Sequence, residues 1–184
     1  MNEMFCFQCQ ETAKGQGCTK KGVCGKTSET AVLQDLLLYV NRGIARLAER
    51  AAEAGLPTDS AVGSRITEAL FTTVTNVSFD PAALEAQITR ALEFRNNLRS
   101  RVEQKAGPIG DLHDSESWTG APSDYPLKGA AVGVLSTEHE DIRSLRELLT
   151  YGLKGIAAYA HHAAVLGRED QGIYDFVAEG LAAT

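Results

Sequence analysis

Residues 28–57 read SETAVLQDLLLYVNRGIARLAERAAEAGLP, and this stretch decides the fold. Its large apolar residues recur at spacings of three and four, the repeat that places side chains on one face of an α-helix. They are Leu33, Leu36, Leu37, Val40, Ile44 and Leu47. Gly55 and Pro57 then supply a helix stop signal. The stretch therefore predicts a long amphipathic helix whose apolar face needs partners.

Two more helices are predicted directly after it. One covers residues 60–76, and the next begins at Asp80-Pro81 and stops at Gly107-Pro108. Aspartate is a favoured N-cap, and proline suits the first helical position. The arginines from Arg90 to Arg101 are expected to form a solvated face. Three successive helices with short connections predict an antiparallel bundle over residues 27–106.

The remainder of the chain predicts a second helical subdomain. Residues 107–130 are rich in Gly, Pro, Ser and Asp, which indicates a linker. Thr137-Glu138-His139-Glu140 predicts a capping box for a helix that ends at Gly167, and a last helix is expected over residues 171–182. Two helices bury their apolar stripes poorly, so we expect the subdomain at 131–184 to be incomplete and the chain to be truncated. The predicted fold class is all-α.

Composition and charge exclude several classes of protein. The net charge of −6 argues against nucleic-acid binding, which normally requires a basic surface. No apolar run approaches the length needed to span a membrane. The first residues lack the basic and apolar regions of a signal peptide. We therefore expect a cytoplasmic protein, in a compartment where clustered cysteines indicate metal rather than disulfides.

Residues 1–26 are expected to form a loop that binds a metal centre. They show no helical or strand period and contain every cysteine of the chain: Cys6, Cys9, Cys18 and Cys24. The C-x2-C pair places two thiols on one tight turn, and the later two come from a glycine-punctuated segment. Four thiolates suit zinc or an iron–sulfur cluster. Structural zinc sites usually pair two short hooks, so the C-x2-C-x8-C-x5-C spacing favours a cluster and leaves structural zinc in a non-catalytic binding module as the alternative.

Four lysines accompany these cysteines: Lys14, Lys20, Lys21 and Lys26. Positive charge beside a cluster favours its reduced, more negative state and offers docking contacts to a redox partner. The alternative is that these lysines only keep the loop soluble. His161 and His162 are adjacent on a helix and point about 100° apart, so they do not converge on one ion.

Several longer motifs surround the cysteines, and a second set of motifs lies near the carboxyl end. They are Met4–Ala13 (MFCFQCQETA), Gly17–Thr19, Gly22–Lys26, Leu33–Leu37, Val132–Leu135, Thr137-Glu138, Glu140–Leu149, Tyr151–Ala160 and His162–Ala164. Together they resemble the N-terminal domain of the hybrid cluster proteins, also called prismane proteins or hydroxylamine reductases. The resemblance runs the length of this chain, and its motifs are far more specific than a bare C-x2-C.

The resemblance implies a function that spacing alone does not. In that family the four N-terminal cysteines hold a proximal cluster, and the narrow spacing here is similar to the form that holds [4Fe–4S]. The proximal cluster passes electrons to a hybrid iron–sulfur–oxygen cluster, where hydroxylamine is reduced to ammonia with two electrons and two protons. The ligands of that second cluster come from later domains, and no cysteine follows Cys24 in this chain. We therefore expect an electron-transfer domain with no catalytic residues of its own, supplied by a redox partner protein and completed by the missing C-terminal domains.

Overall fold

Helix α1 (Ser28–Glu53) is the central element of the molecule. The computed structural model describes residues 4–57 and 59–184. The other helices are α2 (Ser60–Thr72), α3 (Pro81–Ala106), α4 (Asp114–Ser117), α5 (Tyr125–Val132), α6 (Glu140–Val165) and α7 (Gln171–Ala182). Within the described residues there is no strand, only one isolated bridge between Cys6 and Cys18. The all-α prediction is confirmed.

The apolar stripe of α1 is buried as its spacing predicts. Leu36, Val40, Ile44 and Leu47 are each fully inaccessible to solvent. Helix α3 covers most of this face, and α2, α4, α5 and α7 pack around the rest. Helix α6 lies against α2 and α7. The whole arrangement is a core built around one helix, because α1 carries apolar residues on more than one side.

Close crossings in this core depend on glycine. A Cβ atom built on Gly43 of α1 would lie 2.0 Å from the carbonyl oxygen of Ser115, and one on Gly129 of α5 would lie 2.3 Å from that of Val32. No real Cβ fits at such distances. Glycine therefore lets α4 and α5 approach the backbone of α1 directly.

Of the two predicted helix caps, the structure agrees with one and differs from the other. The Asp80 carboxylate accepts hydrogen bonds from the N–H groups of Ala82 and Ala83 at 3.0 and 3.4 Å, as expected for the N-cap of α3. At α6 the predicted capping box is wrong: His139 is the N-cap, and no side chain caps it. The Thr137 hydroxyl instead accepts a hydrogen bond from Arg146 of the same helix. The capping pattern, which covers four residues, could not indicate this competitor nine positions further along the chain.

Two other local predictions are wrong. Helix α2 ends at Thr72 rather than near Asn76, and Asn76 has a positive φ of 66°. Arg95 is not solvated: it is fully buried, and its guanidinium donates to the carbonyl oxygens of Ser115 and Trp118 at 2.9 and 2.5 Å. Charge patterning could not show this because the acceptors come from the segment after α3.

The segment 107–130, expected to be a linker, contains α4 and most of α5. Glu116 of α4 is fully buried and pairs with Arg50 of α1 at 2.6 Å.

Helices α6 and α7 contact α1 or α2 rather than only each other. The outer face of α6 stays open, with Leu145 and Leu148 67% and 69% exposed. No described helix is long and apolar enough to cross a membrane.

Candidate metal centre

The first and third cysteines are brought together by backbone pairing. The N–H of Cys6 donates to the carbonyl oxygen of Cys18 at 3.1 Å, and the N–H of Cys18 donates to that of Cys6 at 2.9 Å. This antiparallel bridge folds residues 6–18 back on themselves. Met4 and Ala31 pack beside Cys18, which attaches the folded loop to the first turn of α1. Residues twelve apart in sequence thereby become neighbours.

The Cys18 thiol lies in surroundings that favour its thiolate form. It is 4% exposed, and its sulfur accepts a hydrogen bond from the Ala13 N–H at 3.5 Å. The hydrogen bonds from the backbone of Ala13 and Val23 lower the pKa of Cys18 and outweigh the opposing effect of burial. Thiolate, rather than thiol, is the form that binds iron or zinc. The donor chemistry at Cys18 therefore fits a thiolate-ligated centre.

The other two cysteines lie on turns of the same loop. The carbonyl oxygen of Cys9 accepts from the Thr12 N–H at 3.2 Å, which closes the turn after the C-x2-C pair. Cys24 is exposed, and it lies in a turn closed by the Gly25 N–H and the Gly22 carbonyl at 2.9 Å. Gly25 has a φ of 96°, a conformation that glycine adopts without strain. All four cysteines are free of disulfides.

The structure pairs two of the four predicted ligands and leaves the other two on separate turns. Within residues 4–57 and 59–184 no three Cys, His, Asp or Glu side chains converge as the ligands of a metal ion. The assignment of Cys6, Cys9, Cys18 and Cys24 as one ligand set therefore stays a prediction. What fits such a set is the chemistry of the donors: four free thiols on one loop, one of them shifted toward thiolate.

Three of the four lysines near the cysteines face solvent, and the fourth does not. Lys14, Lys20 and Lys21 are exposed, whereas Lys26 is 2% exposed. The Lys26 ammonium donates to the side-chain oxygen of Gln34 at 2.6 Å, and Gln34 donates in turn to the carbonyl oxygen of Ser78 at 3.0 Å. Only Lys14, Lys20 and Lys21 therefore fit the alternative in which the lysines keep the loop soluble.

Sequence reasoning missed two residues of α6 that hold the C-x2-C turn. The Tyr151 hydroxyl donates to the carbonyl oxygen of Phe7 at 3.1 Å. The Lys154 ammonium donates to the side-chain oxygen of Gln8 and to the carbonyl oxygen of Thr73, both at 3.1 Å. The apolar periodicity of α6 could have indicated Lys154. This lysine is next to Leu153, and both lie on the buried side of the helix.

A small cavity of about 30 Å³ lies between the cysteine loop, α1 and α6. Cys6 lines it together with charged residues from three segments: Lys26, Asp35, Arg42, Arg143, Arg146, Glu147 and Lys154. Burial raises the pKa of Asp35 to about 7. It lowers the pKa of Lys154 to about 8, and repulsion from Lys26 acts in the same direction. The cavity therefore carries more positive than negative charge at neutral pH.

The adjacent histidines of α6 pack against one aromatic ring of α2. His161 stacks on the ring of Phe71 with centroids 4.3 Å apart, and His162 meets the same ring edge-on at 5.2 Å. Glu140 and Asp141 lie in the first turn of α6, where acidic side chains complement the helix dipole. The two histidines therefore take part in packing, and the two carboxylates lie at the beginning of α6.

Comparison with known proteins gives a match over almost the whole chain. The family pattern described as Prismane/CO dehydrogenase family matches residues 4–184. A hydroxylamine reductase of Desulfitobacterium hafniense (strain DSM 10664 / DCB-2) is 52% identical over 183 residues, which cover 98% of this chain and 33% of that protein. Those of Halothermothrix orenii and Nitratidesulfovibrio vulgaris are 53% and 50% identical, over 98% of this chain and 34% of each relative. The chain thus spans about a third of the length of these curated relatives.

Proposed function

Because the chain belongs to the Prismane/CO dehydrogenase family, we propose that it is the electron-transfer domain of a hydroxylamine-reductase-like protein. The observation that carries the proposal is one loop with four free cysteines in a chain about half identical to hydroxylamine reductases along its length. Cys6, Cys9, Cys18 and Cys24 are the proposed ligands of a [4Fe–4S] cluster. When bound, such a cluster accepts and releases one electron at a time.

The residues of the loop have distinct tasks in this proposal. The Cys6–Cys18 bridge holds two ligands in register, and the Ala13 N–H stabilises the Cys18 thiolate. Tyr151 and Lys154 of α6 hold the turn that carries Cys6 and Cys9. The loop is therefore supported by a helix distant in sequence and does not depend on metal alone for its position.

We propose that this chain by itself transfers electrons without reducing hydroxylamine. That reduction consumes two electrons and two protons and yields ammonia and water. In the hybrid cluster proteins that the sequence resembles, it takes place on a second cluster whose cysteine ligands lie in later domains. No cysteine follows Cys24 here. Turnover of hydroxylamine by the reconstituted 184-residue chain, supplied with reduced viologen, would contradict this part of the proposal.

The proposed electron donor is an acidic redox protein that docks on the exposed edge of the cysteine loop. Cys24 is the exposed cysteine, and Val23 beside it is 63% exposed. Lys20 and Lys21 lie exposed on the same loop, although the chain as a whole is acidic. Charge of opposite sign on the donor would steer it to this edge. A reducing compartment such as the cytoplasm suits the four free thiols.

The test of the proposed centre is anaerobic reconstitution with iron and sulfide. We expect about four iron and four sulfide per chain and a broad visible absorption that dithionite bleaches. Replacing any one of the four cysteines by serine should lower the iron content and the absorption. The matched control is Lys21→Gln, an exposed change in the same loop, which should load normally. A colourless protein that holds one zinc per chain would replace the proposal by the structural-zinc alternative.

A further inference from the structure

Two lysine ammonium groups are buried beneath the cysteine loop. Lys26 is 2% exposed and Lys154 is 5% exposed, although they come from the loop and from α6. An ammonium group removed from water loses much hydration energy, so such burial is rare unless other groups compensate it. The electrostatic effect of these two ammonium groups on their surroundings depends on which groups compensate their charge.

The compensating groups around both lysines are neutral oxygens. Lys26 donates to Gln34, and Lys154 donates to Gln8 and to the carbonyl oxygen of Thr73. In the part of the chain that the structure describes, no carboxylate forms an ion pair with either lysine. Amide oxygens satisfy the ammonium donors but leave the charge unneutralised. The positive field of both groups therefore persists in their surroundings.

That field reaches the predicted ligands. Gln8, which accepts from Lys154, lies between Cys6 and Cys9, and Lys26 lies two residues after Cys24. Tyr151, three residues before Lys154 on α6, holds the neighbouring carbonyl of Phe7. Residues three apart on a helix share one face, so the same face of α6 that positions the C-x2-C turn also brings a charge to it. Low dielectric strengthens such interactions.

The other charged groups around the cavity do not cancel this charge. Arg42, Arg143 and Arg146 add positive charge, and Asp35 and Glu147 are the two carboxylates in its lining. Burial leaves Asp35 with a pKa of about 7, so it is ionised for only part of the time at neutral pH. Lys154, with a pKa of about 8, is mainly protonated at pH 7.

We propose that Lys154 is a positioning residue that raises the reduction potential of the centre on Cys6, Cys9, Cys18 and Cys24. Reduction transfers one electron from the donor to the centre and adds one negative charge there, with no bond made or broken. A fixed ammonium group beneath the C-x2-C turn stabilises that reduced state. The inference rests on the proposed function, because it requires a redox-active centre on these cysteines.

The test is a mediated redox titration at pH 7 of the reconstituted chain and its Lys154→Gln variant. Glutamine retains hydrogen-bonding groups and removes the charge. At a fixed potential, we expect the ratio of reduced to oxidised centre to fall about tenfold, which for a one-electron couple is a shift of 59 mV to lower potential. The control Lys21→Gln removes an exposed charge from the same loop and should leave the ratio within about twofold, because solvent screens it.

Four results would overturn the proposal or its basis, and they are distinguishable. An unchanged ratio in a fully loaded Lys154→Gln variant, or an equal shift in Lys21→Gln, would show that Lys154 does not set the potential. If Lys154→Gln fails to load, Lys154→Met decides instead: it also removes the charge and keeps an unbranched side chain, so the ratio should fall as in Lys154→Gln, and an unchanged ratio counts against the inference. Failure of the unmodified chain to bind iron and sulfide would instead reject the proposed function.

Discussion

At the scale of single residues, Asp35 should make folding depend on pH. Burial raises its pKa from 3.8 to about 7. Glu147 acts in the same direction, and the positive charges of Lys154, Arg42 and Lys26 oppose the shift without cancelling it. The folded state therefore holds a proton that the unfolded state releases near pH 4. This contribution to stability is complete below about pH 4 and is lost as the pH rises through 7.

Replacing Asp35 by asparagine should remove that dependence. Relative to Asp35→Asn, we expect the unmodified chain to lose about 2.5 kcal/mol of unfolding free energy between pH 5 and pH 8. Urea denaturation of both proteins at the two pH values measures it. The control is Asp141→Asn, an exposed carboxylate at the start of α6. Equal pH dependence in all three proteins would mean that Asp35 titrates normally.

At the scale of elements, α4 is joined to α1 by a buried carboxylate. Burial acts to raise the pKa of Glu116, but the hydrogen bonds from Arg50 and from the His113 N–H lower it overall. Glu116→Gln should cost about 2–3 kcal/mol, because it leaves the Arg50 charge without its partner. Glu103→Gln is the control: it breaks a partly exposed pair with Arg99 and should cost about 0.5 kcal/mol or less. Chemical denaturation compares them, and equal costs would contradict the prediction.

The crossing of α1 and α4 should reject any side chain at Gly43. Its Cβ would lie 2.0 Å from a backbone oxygen that cannot rotate away. Gly43→Ala should therefore destabilise the protein by about 2–3 kcal/mol through overpacking. Gly152→Ala on α6, where a Cβ meets nothing within 4 Å, should instead stabilise by about 0.5–1 kcal/mol. Thermal unfolding of both variants gives the sign; a neutral Gly43→Ala would show that α4 moves easily.

At the scale of the whole molecule, the outer face of α6 is an apolar surface without a partner among the described residues. Its exposed side chains are Ile142, Leu145, Leu148, Leu149, Ile156 and Tyr159. Contiguous apolar surface of this kind promotes association. We expect the isolated chain to show a sedimentation coefficient that rises with concentration. The double variant Leu145→Lys, Leu148→Lys should abolish the rise, whereas Ser144→Lys, which adds charge without removing apolar surface, should not.

Much of the helical architecture was predictable because its signals are local. Helix α7 spans Gln171–Ala182 as expected, and α3 begins at the Asp80 cap. Periodicity and capping act over one or two turns, and both can be read from the chain. Two of the wrong predictions concern side chains with unexpected hydrogen-bond partners. Thr137 binds Arg146 two turns further along the same segment, and Arg95 binds carbonyl oxygens of the segment after α3.

In the cysteine loop, too, some features follow from local sequence and others depend on tertiary contacts. Four cysteines within nineteen residues, flanked by family-specific motifs, are sufficient to predict a thiolate site and to recognise the family of the chain, since both signals lie in consecutive residues. Sequence could not show that Cys6 pairs with Cys18, that Lys26 alone of its four lysines is buried, or that Tyr151 and Lys154 reach the turn from more than 140 positions away. Only the tertiary structure decides those contacts, because burial and long-range hydrogen bonds depend on which helices pack together, and packing has no local signature.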